Sequence, residues 1–411
     1  MLTAMDIQLA QPYDVVIVGG GMAGASLACA LGQLPLKVAL IEAYPFNVTT
    51  QPHYDDRVIA LSQGAKLTFT QFGVWPTLLP AATPIHHIHV SQQQAWGTAQ
   101  LDRADLYTDA LGYVVPARDI GRVLAAVLPS LPQVEVMSPA KLVRFQSTEA
   151  HVLLDVEAQG LVQTLSAKLL IAADGAHSLV RESMGWHVSR HDYQQQAIVC
   201  NVTFSQAHQH IAYERFQTQG PLAMLPMQDQ RMACVWTVPE AAVDDLMGLP
   251  DGLFIQRLQA QFGYRAGRIE QVGKRSHYPL YSLQAKQFAG NRVALLGNAA
   301  HALHPVAGQG FNLGLRDIQV LANLLTDACQ AEQDIGADAL LREYTRIQAK
   351  DHRWVMGMTH TLIRVFGVRG LPARWIRALG LVGFDVTPWL KNTLTLQAMG
   401  LLGQRSAGRV K

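Results

Sequence analysis

The stretch Asp14-Val15-Val16-Ile17-Val18-Gly19-Gly20-Gly21-Met22-Ala23-Gly24 decides the fold of this chain. Its β-branched run predicts a short buried strand, and the Ala- and Leu-rich segment that follows predicts a helix. The glycines between them have the spacing GxGxxG, which permits a tight turn and the close approach of a pyrophosphate. A second apolar run, residues 38–41, ends at Glu42, an acid placed to bond a ribose hydroxyl. Together these parts predict a dinucleotide-binding unit.

A second glycine-rich stretch, residues 297–317, follows the apolar run 293–296 and reads GNAAHALHPVAGQGFNLGLRD. The pattern predicts a strand, a tight loop and a helix that begins near Gly310. A helix N-terminus offers unpaired N–H groups and a partial positive charge, which suits the negative charge of a reduced flavin ring. We therefore expect a flavin here, with these candidate donors: Gly308, Gln309, Gly310 and Asn312.

A third motif lies between the two glycine-rich stretches. Residues 167–173 predict a buried strand, and Asp174 and Gly175 form a turn at its carboxyl end. Open α/β sheets bind their ligands at that edge, although an Asp-Gly pair by itself is also common in turns that bind nothing.

Composition narrows the functional classes. The chain has 411 residues with 33 Lys and Arg against 31 Asp and Glu, so charge gives no reason to expect nucleic acid as a partner. The four cysteines have no CxxC pair and no metal-ligand spacing, which predicts unpaired thiols, a reducing compartment and no metal. Residues 1–13 lack the features of a signal peptide, and we expect a cytoplasmic location.

The motifs together resemble the single-component FAD-dependent aromatic hydroxylases of the para-hydroxybenzoate hydroxylase superfamily, and within it the hydroxylases of ubiquinone biosynthesis. Residues 56–61, 214–216, 220–227 and 273–280 also match, and the resemblance covers about residues 14–346. It implies an α/β fold in which a Rossmann-like FAD-binding domain (1–75, 101–180 and 285–345) is interleaved with a β-sheet substrate domain (76–100 and 181–284). A C-terminal helical segment, 346–411, follows.

The resemblance also implies an activity. FAD, NAD(P)H and O2 would hydroxylate the ring of a polyprenylated phenol, and the best match is to the conversion of 2-octaprenyl-6-methoxyphenol to the 1,4-benzoquinol. The chain has no second GxGxxG, which agrees with transient binding of NAD(P)H. Two alternatives stay open: a hydroxylase of the same fold acting at another ring position or on a soluble phenol, and a flavin-holding scaffold in a biosynthetic complex.

Site residues follow from the resemblance. Asn298 stands where most of the superfamily has Asp, so a negative charge is missing there while hydrogen bonding to the flavin side chain is retained. Pro305 would stiffen the loop beneath the flavin. The implied cofactor-binding positions are Gly19, Gly21, Gly24, Glu42, Arg57, Arg118, Asp174, Gly175, Asn298, Pro305, Gly308, Gln309, Gly310 and Asn312.

The substrate pocket is expected from the middle of the chain. Residues 197–204, 211–216, 221–227 and 232–238 predict strands of a separate sheet. Met224, Leu225, Pro226 and Met227 would form its apolar ceiling, with ordinary core packing as the alternative. A phenol must be partly ionised to react, and the candidate relays are His277, His301 and His304, none of which the sequence selects.

Residues 351–403 interleave arginines with aromatic and aliphatic residues. This pattern is typical of a helix on an anionic membrane surface, and equally of helices that pack on the FAD domain or form a homo-oligomer. A peripheral contact with the inner face of the cytoplasmic membrane and membership of a ubiquinone-biosynthesis complex are therefore further hypotheses.

Overall fold

The structure, a computed structural model, describes residues 11–46, 57–93, 97–303 and 308–367, together with 387, 395–396 and 399–401. The strands of the first half of the chain are β1 (Gln11–Val18), β2 (Val38–Ile41), β3 (Val58–Ser62), β4 (Thr83–Ile85), β5 (His87–Gln92), β6 (Thr98–Asp102), β7 (Gly112–Pro116), β8 (Val134–Met137), β9 (Ala140–Ser147), β10 (Val152–Ala158) and β11 (Leu161–Ala172). The later strands are β12 (Val188–Phe204), β13 (Ile211–Phe216), β14 (Leu222–Pro226), β15 (Arg231–Pro239), β16 (Ile269–Val272), β17 (Ser276–Ala285), β18 (Ala289–Gly290), β19 (Val293–Leu295) and β20 (His301–Ala302).

The helices of the described residues are α1 (Met22–Leu31), α2 (Gln63–Gln71), α3 (Trp75–Leu78), α4 (Ala117–Val127), α5 (Leu179–Ser183), α6 (Val243–Gly248), α7 (Asp251–Phe262), α8 (Gln309–Gln330) and α9 (Asp338–Gly367). Short 3-10 turns at Leu79–Ala81, Arg103–Leu106, Leu128–Ser130, Glu240–Ala242 and Gly297–Ala299 connect some of these elements.

An eight-stranded sheet carries the first glycine motif. Its order is β18-β19-β11-β1-β2-β8, and β10 and β9 extend it from β11. The strands β19, β11, β1, β2 and β8 are parallel, so their carboxyl ends meet at one edge. Val15, Val16 and Ile17 are fully buried because the sheet is covered on both faces, which explains the continuous apolar run. The predicted α/β fold is confirmed.

A nine-stranded sheet is built mainly from the middle of the chain, in the order β20-β17-β12-β15-β14-β13-β5-β6, with β16 beside β12. The strands predicted there are confirmed as β12, β13, β14 and β15. Helices α6 and α7 cover one face, where Trp236 packs on Phe254 and Phe204 on Phe262. A three-stranded sheet, β3-β7-β4, completes the architecture. The domain boundaries given above stay a prediction.

Helices α8 and α9 pack against each other, and α9 also contacts β18. The helix α9 begins at Asp338, before residue 346, and buries Tyr344, His352 and Val355. The described part of the C-terminal segment therefore packs on the α/β sheet domain. Among the described helices, none is both long and apolar enough to cross a membrane. The cysteines are unpaired, as predicted.

Candidate functional site

A cavity of about 1080 Å³ separates the parallel sheet from the nine-stranded sheet. On one side it is bounded by the loops at the carboxyl ends of β1, β2, β11 and β19, and on the other by one face of β5, β6 and β12 to β15. The topology thus brings the glycine motifs of the sequence to a common space.

The first glycine loop forms one end of the cavity. Gly19 has a φ of +105°, and a Cβ there would collide with the carbonyl oxygen of Ala173. A Cβ on Gly21 would meet nothing within 4 Å, because this glycine borders open space. Glu42, also on the cavity wall, accepts hydrogen bonds from the Gly20 N–H at 2.6 Å and the Tyr44 N–H at 2.9 Å.

Gly24 packs against the first glycine loop. It is buried and absent from the described cavity wall, and a Cβ at this position would collide with the carbonyl oxygen of Gly19. The prediction that Gly24 helps to hold the pyrophosphate stays a prediction, and this packing would make its part indirect. Its missing side chain lets helix α1 pack closely on the loop that Gly19 opens.

The Asp174 turn forms the next part of the wall. The Asp174 carboxyl accepts a hydrogen bond from the Val180 N–H at 3.3 Å through Oδ2, whereas its buried Oδ1 has no partner among the described residues. Burial raises the pKa of this carboxyl. Gly175, with a φ of +86°, also lines the cavity and has open space where a Cβ would be.

Arg181 connects the Asp174 turn to the second glycine motif. Its guanidinium is buried and donates to the carbonyl oxygens of Ala299 at 2.9 Å and Ala176 at 2.8 Å. Arg181 is not among the site residues predicted from the sequence. Its two bonds fix the spacing of two loops that face the cavity.

The second glycine motif lines the cavity where helix α8 begins. Gly308, Gln309 and Gly310 are on the wall, and Gly308 adopts a φ of +61°. Asn298 is exposed on the turn before the loop and also lines the cavity. The predictions for His304 and Pro305 concern positions outside the described residues.

Asn312 lines the cavity but does not offer its amide to a ligand. The Asn312 amide nitrogen donates to the carbonyl oxygens of Ala60 at 2.8 Å and Gly308 at 2.7 Å, and its oxygen accepts from the Ser62 N–H at 2.8 Å. Both amide hydrogens are thus used within the protein. The assignment of Asn312 as a cofactor-binding position stays a prediction. The residue anchors the start of α8 to β3.

The two predicted arginines have different surroundings. Arg57 lines the cavity, with its guanidinium carbon 4.5 Å from the centroid of the Tyr278 ring. Arg118 is exposed in the first turn of α4 and is absent from the described cavity wall, which its neighbour Ala117 joins. The predicted flavin contact of Arg118 stays a prediction.

The apolar wall follows the alternation of the strands. Successive side chains of a strand point to opposite faces, so Ala223 and Leu225 of β14 line the cavity whereas Met224 is fully buried on the other face. Pro226 and Met227 are also buried and absent from the described wall. Of the predicted ceiling, only Leu225 is in place.

His301 and His277 do not reach the cavity. His301 is buried behind it, where its Nε2 and the Nε2 of His352 hydrogen-bond the two oxygens of Asp317 at 2.5 and 2.8 Å. His277 is exposed on β17 and bonds the Gln196 amide oxygen at 2.5 Å. Neither imidazole lines the cavity, so their role as proton relays has no support from this geometry. The side-chain nitrogen and oxygen atoms of His301, Asp317 and His352 lie within 4.8 Å of one another, which is also the spacing of metal ligands. The sequence-based expectation of no metal therefore stays a prediction.

Several cavity residues were not predicted as site residues. Glu214 on β13 lies on the apolar wall, and burial raises the pKa of its carboxyl to about 7. Strand alternation could have found it, since Ala212, Glu214 and Phe216 share a face.

Three residues from late in the chain, Met358, Thr395 and Met399, also line the cavity, and the Met399 carbonyl accepts from the Gly64 N–H at 2.9 Å. No local sequence pattern predicts that these three residues line the cavity.

Comparison with known proteins places this geometry in a family. A family model described as FAD binding domain matches residues 12–356. The chain belongs to this FAD-binding family. Among its relatives, ubiquinone hydroxylase UbiL from Rhodospirillum rubrum is 34% identical over 95% of this chain and 90% of its own length. The 3-demethoxyubiquinol 3-hydroxylase of Escherichia coli is 30% identical over 95% of this chain and 99% of its own.

Solved structures agree on the fold. The p-nitrophenol 4-monooxygenase PnpA from Pseudomonas putida superposes with a TM-score of 0.79, at 19% identity, over 95% of this chain and 98% of that one. The para-hydroxybenzoate hydroxylase-like architecture predicted from the motifs is thereby confirmed. With the family match, the chain is a flavoprotein monooxygenase.

The residues present fit the FAD that the family implies. Gly21, Gly175 and Gly310 each border open space on the cavity side, so the backbone is accessible to a closely packed ligand. The Oδ1 of Asp174, which has no partner among the described residues, would accept a hydrogen bond from a hydroxyl-rich cofactor, and such a bond would offset the cost of its burial. The start of α8 supplies the partial positive charge.

Proposed function

We propose that this chain hydroxylates the aromatic ring of a polyprenylated phenol in ubiquinone biosynthesis, using FAD with NAD(P)H and O2 as co-substrates. The substrate that we propose is 2-octaprenyl-6-methoxyphenol, with the 1,4-benzoquinol as product. The observation that carries the proposal is the shared cavity, in which glycine loops suited to a dinucleotide face an apolar sheet suited to a lipid-like phenol. One oxygen atom of O2 would enter the ring, and the other would leave as water.

The names of the relatives support the pathway more strongly than the ring position. One relative is called a ubiquinone hydroxylase, and another is called a 3-demethoxyubiquinol 3-hydroxylase. The para position is supported here only by the sequence motifs. Regiochemistry depends on how the ring is oriented, which residue spacing does not encode.

Each wall of the cavity would have its own task. The loop at Gly19 and Gly21 would hold the pyrophosphate, and the Glu42 carboxylate the ribose. The start of α8 would stabilise negative charge on the cofactor. FAD held there would supply the redox chemistry that activates O2, with NAD(P)H as the proposed source of electrons. The apolar strands would exclude water from the reacting ring.

The proposal includes a location at the inner face of the cytoplasmic membrane, where a polyprenylated substrate resides. The arginines and aromatics of residues 351–403 would supply the contact, and most of those beyond Gly367 are outside the described residues. Association with other enzymes of the pathway, or with a second copy, is part of the same proposal. Flotation of the protein with anionic vesicles tests the membrane contact.

The decisive experiment is the quinone-intermediate profile of cells that lack this gene, measured by mass spectrometry of lipid extracts. We expect a prenylated phenol without the para hydroxyl to accumulate, and wild-type protein to restore the quinone. The Gly21→Asp variant should fail, since its carboxylate would enter the cavity space that the pyrophosphate needs. Gly252→Asp is the matched control, because Gly252 is exposed on α7 and also has open space around it.

The alternatives give different results in the same experiment. A normal quinone profile in the deletion strain would refute the proposal and favour a soluble phenol. Accumulation of an intermediate that lacks a different hydroxyl would show that the protein hydroxylates another position of the ring. Rescue by Gly21→Asp protein that contains no FAD would favour a scaffold role.

A further inference from the structure

Glu214 interrupts an otherwise apolar row that crosses the cavity face of the nine-stranded sheet. Register pairs it with Val90 on β5 and with Ala223 on β14. The same row continues to Ala99 on one side and to Val235 and Val199 on the other. Every residue of this row lines the cavity. Glu214 is thus the ionisable side chain of the row, and its neighbours on both sides are hydrocarbon.

The Glu214 carboxyl has no hydrogen-bond or ion-pair partner among the described residues. An acid placed in an apolar wall without a partner costs stability, and such positions are concentrated at functional sites. Burial raises its pKa to about 7, where the group exchanges a proton close to neutral pH. A base with a pKa near the working pH is the most effective kind for proton transfer.

The geometry points to Glu214 as the group that accepts the proton of the substrate's phenol hydroxyl. This inference rests on the proposed function, and it supplies a base within the cavity, which neither His277 nor His301 lines. In the step, the phenol O–H bond breaks and the proton passes to a carboxylate oxygen of Glu214. The electron pair stays on the phenolate oxygen, which raises electron density at the ring carbon that receives the oxygen atom. The proton then leaves to solvent, and the carboxylate is regenerated.

Other ionisable groups of the cavity wall are less suited. The Arg57 guanidinium lies over the Tyr278 ring and offers only hydrogen-bond donors, and Glu42 is engaged with two backbone N–H groups. Asp174 lies in the turn after β11, on the side of the cavity that is proposed to hold FAD. Tyr278 lies under the Arg57 guanidinium. The remaining groups, Tyr44, Lys141, His177, Tyr213 and Tyr281, lie outside the apolar row.

The test uses the full-length protein saturated with FAD. Wild type, Glu214→Gln and the control Glu270→Gln, an exposed acid on β16 of the same sheet, are compared. The probes are 2-geranyl-6-methoxyphenol and a ring-fluorinated analogue with an open para carbon. Both are assayed at one pH, which lies above the pKa of the fluorinated phenol and below that of the unfluorinated phenol. Product formation and NAD(P)H oxidation are followed separately, and FAD content confirms that each variant is folded.

We expect Glu214→Gln to lower the kcat for product by at least about a hundred-fold with the first probe, the lower range for loss of a general base. With the fluorinated probe, already ionised in solution, the loss should fall below about ten-fold, whereas a structural defect would affect both probes equally. Glu214→Asp should recover part of the rate, and Glu270→Gln should match wild type.

The outcomes separate the two proposals. If wild type forms hydroxylated product and Glu214→Gln does so at a similar rate with both probes, Glu214 is not the base and the proposed function stands. Equal losses with both probes would also overturn the role of Glu214. If wild-type, FAD-loaded protein hydroxylates neither probe, the proposed function fails and the inference fails with it.

Discussion

Replacing Asp317 with Asn should destabilise the protein more than any comparable change on the surface of helix α8. Asp317 is fully buried and accepts hydrogen bonds from His301 at 2.5 Å and His352 at 2.8 Å. These residues come from the second glycine motif, from α8 and from α9. One carboxylate therefore joins three segments, and the amide of Asn can accept from only one of the two imidazoles.

The size of the effect follows from those contacts. Burial opposes the charge of Asp317, but the facing imidazoles hold its pKa well below the usual range. Burial also opposes protonation of His352, and the Asp317 carboxylate outweighs it and raises the pKa of this imidazole. Removing one partner of a buried charged pair costs about 3–5 kcal/mol. We expect a loss of that order in the free energy of unfolding.

The loss should depend on pH in a defined direction. A raised His352 pKa contributes stability that is fully present below its unfolded value of 6.5 and is lost as pH rises through the folded value. Asp317 stays ionised down to strongly acidic pH. Wild type and Asp317→Asn should therefore differ most near pH 6, and the difference should shrink once His352 is neutral in wild type. His301, whose pKa burial lowers, contributes in the opposite sense.

Urea unfolding of FAD-saturated protein, followed by tryptophan fluorescence at several pH values, measures this difference. Asp327→Asn is the control, because Asp327 is an exposed acid on the same helix and undergoes the same chemical change. A loss below about 1 kcal/mol, or one equal to that of the control, would refute the argument, since surface substitutions usually change stability within about 0.5 kcal/mol. A difference that grows with rising pH would refute the assignment of the charged imidazole.

Three further changes test the site. Gly24→Ala should abolish FAD retention, measured as the ratio of flavin to protein absorbance, because its Cβ would meet the Gly19 carbonyl oxygen. Gly21→Ala places its Cβ in open space and should fold normally. Equal yields of folded protein and equal flavin ratios for the two variants would contradict this reasoning. Arg181→Leu should weaken FAD binding in a fluorescence titration by at least ten-fold, since two buried bonds to charged groups, each worth about 1.5–3 kcal/mol, are lost; unchanged affinity would count against its spacing role. Leu225→Trp should raise the KM for a prenylated phenol with FAD content unchanged, and an unaltered KM would exclude this wall from the substrate site.

The parallel sheet was predictable because its strands are buried on both faces and read as continuous apolar runs. The turn at Gly19 could be predicted for a similar reason, since its positive φ requires glycine. Spacing alone could not separate Gly21, which borders the cavity, from Gly24, which packs under a backbone. That distinction depends on the direction in which each absent side chain would point.

The apolar wall was only partly predictable. The strand β14 was evident from composition, but the prediction placed consecutive residues on one face, whereas Leu225 and Met224 point to opposite faces. The same alternation, applied to β13, would have singled out Glu214. His301 could not be assigned from the sequence, because the Asp317 carboxylate that it contacts is shared with His352, which lies on a helix distant in the chain.

The contribution of Thr395 and Met399 to the cavity bears on how the protein acquires its cofactor during synthesis. The loops that would hold the pyrophosphate are complete once residues up to Gly175 have left the ribosome. The Gly64 N–H, however, can bond the Met399 carbonyl only after Met399 has been synthesised. A nascent chain therefore presents the flavin site with one wall missing. Stable retention of flavin should therefore begin only when Thr395 and Met399 have been synthesised and have packed against the cavity.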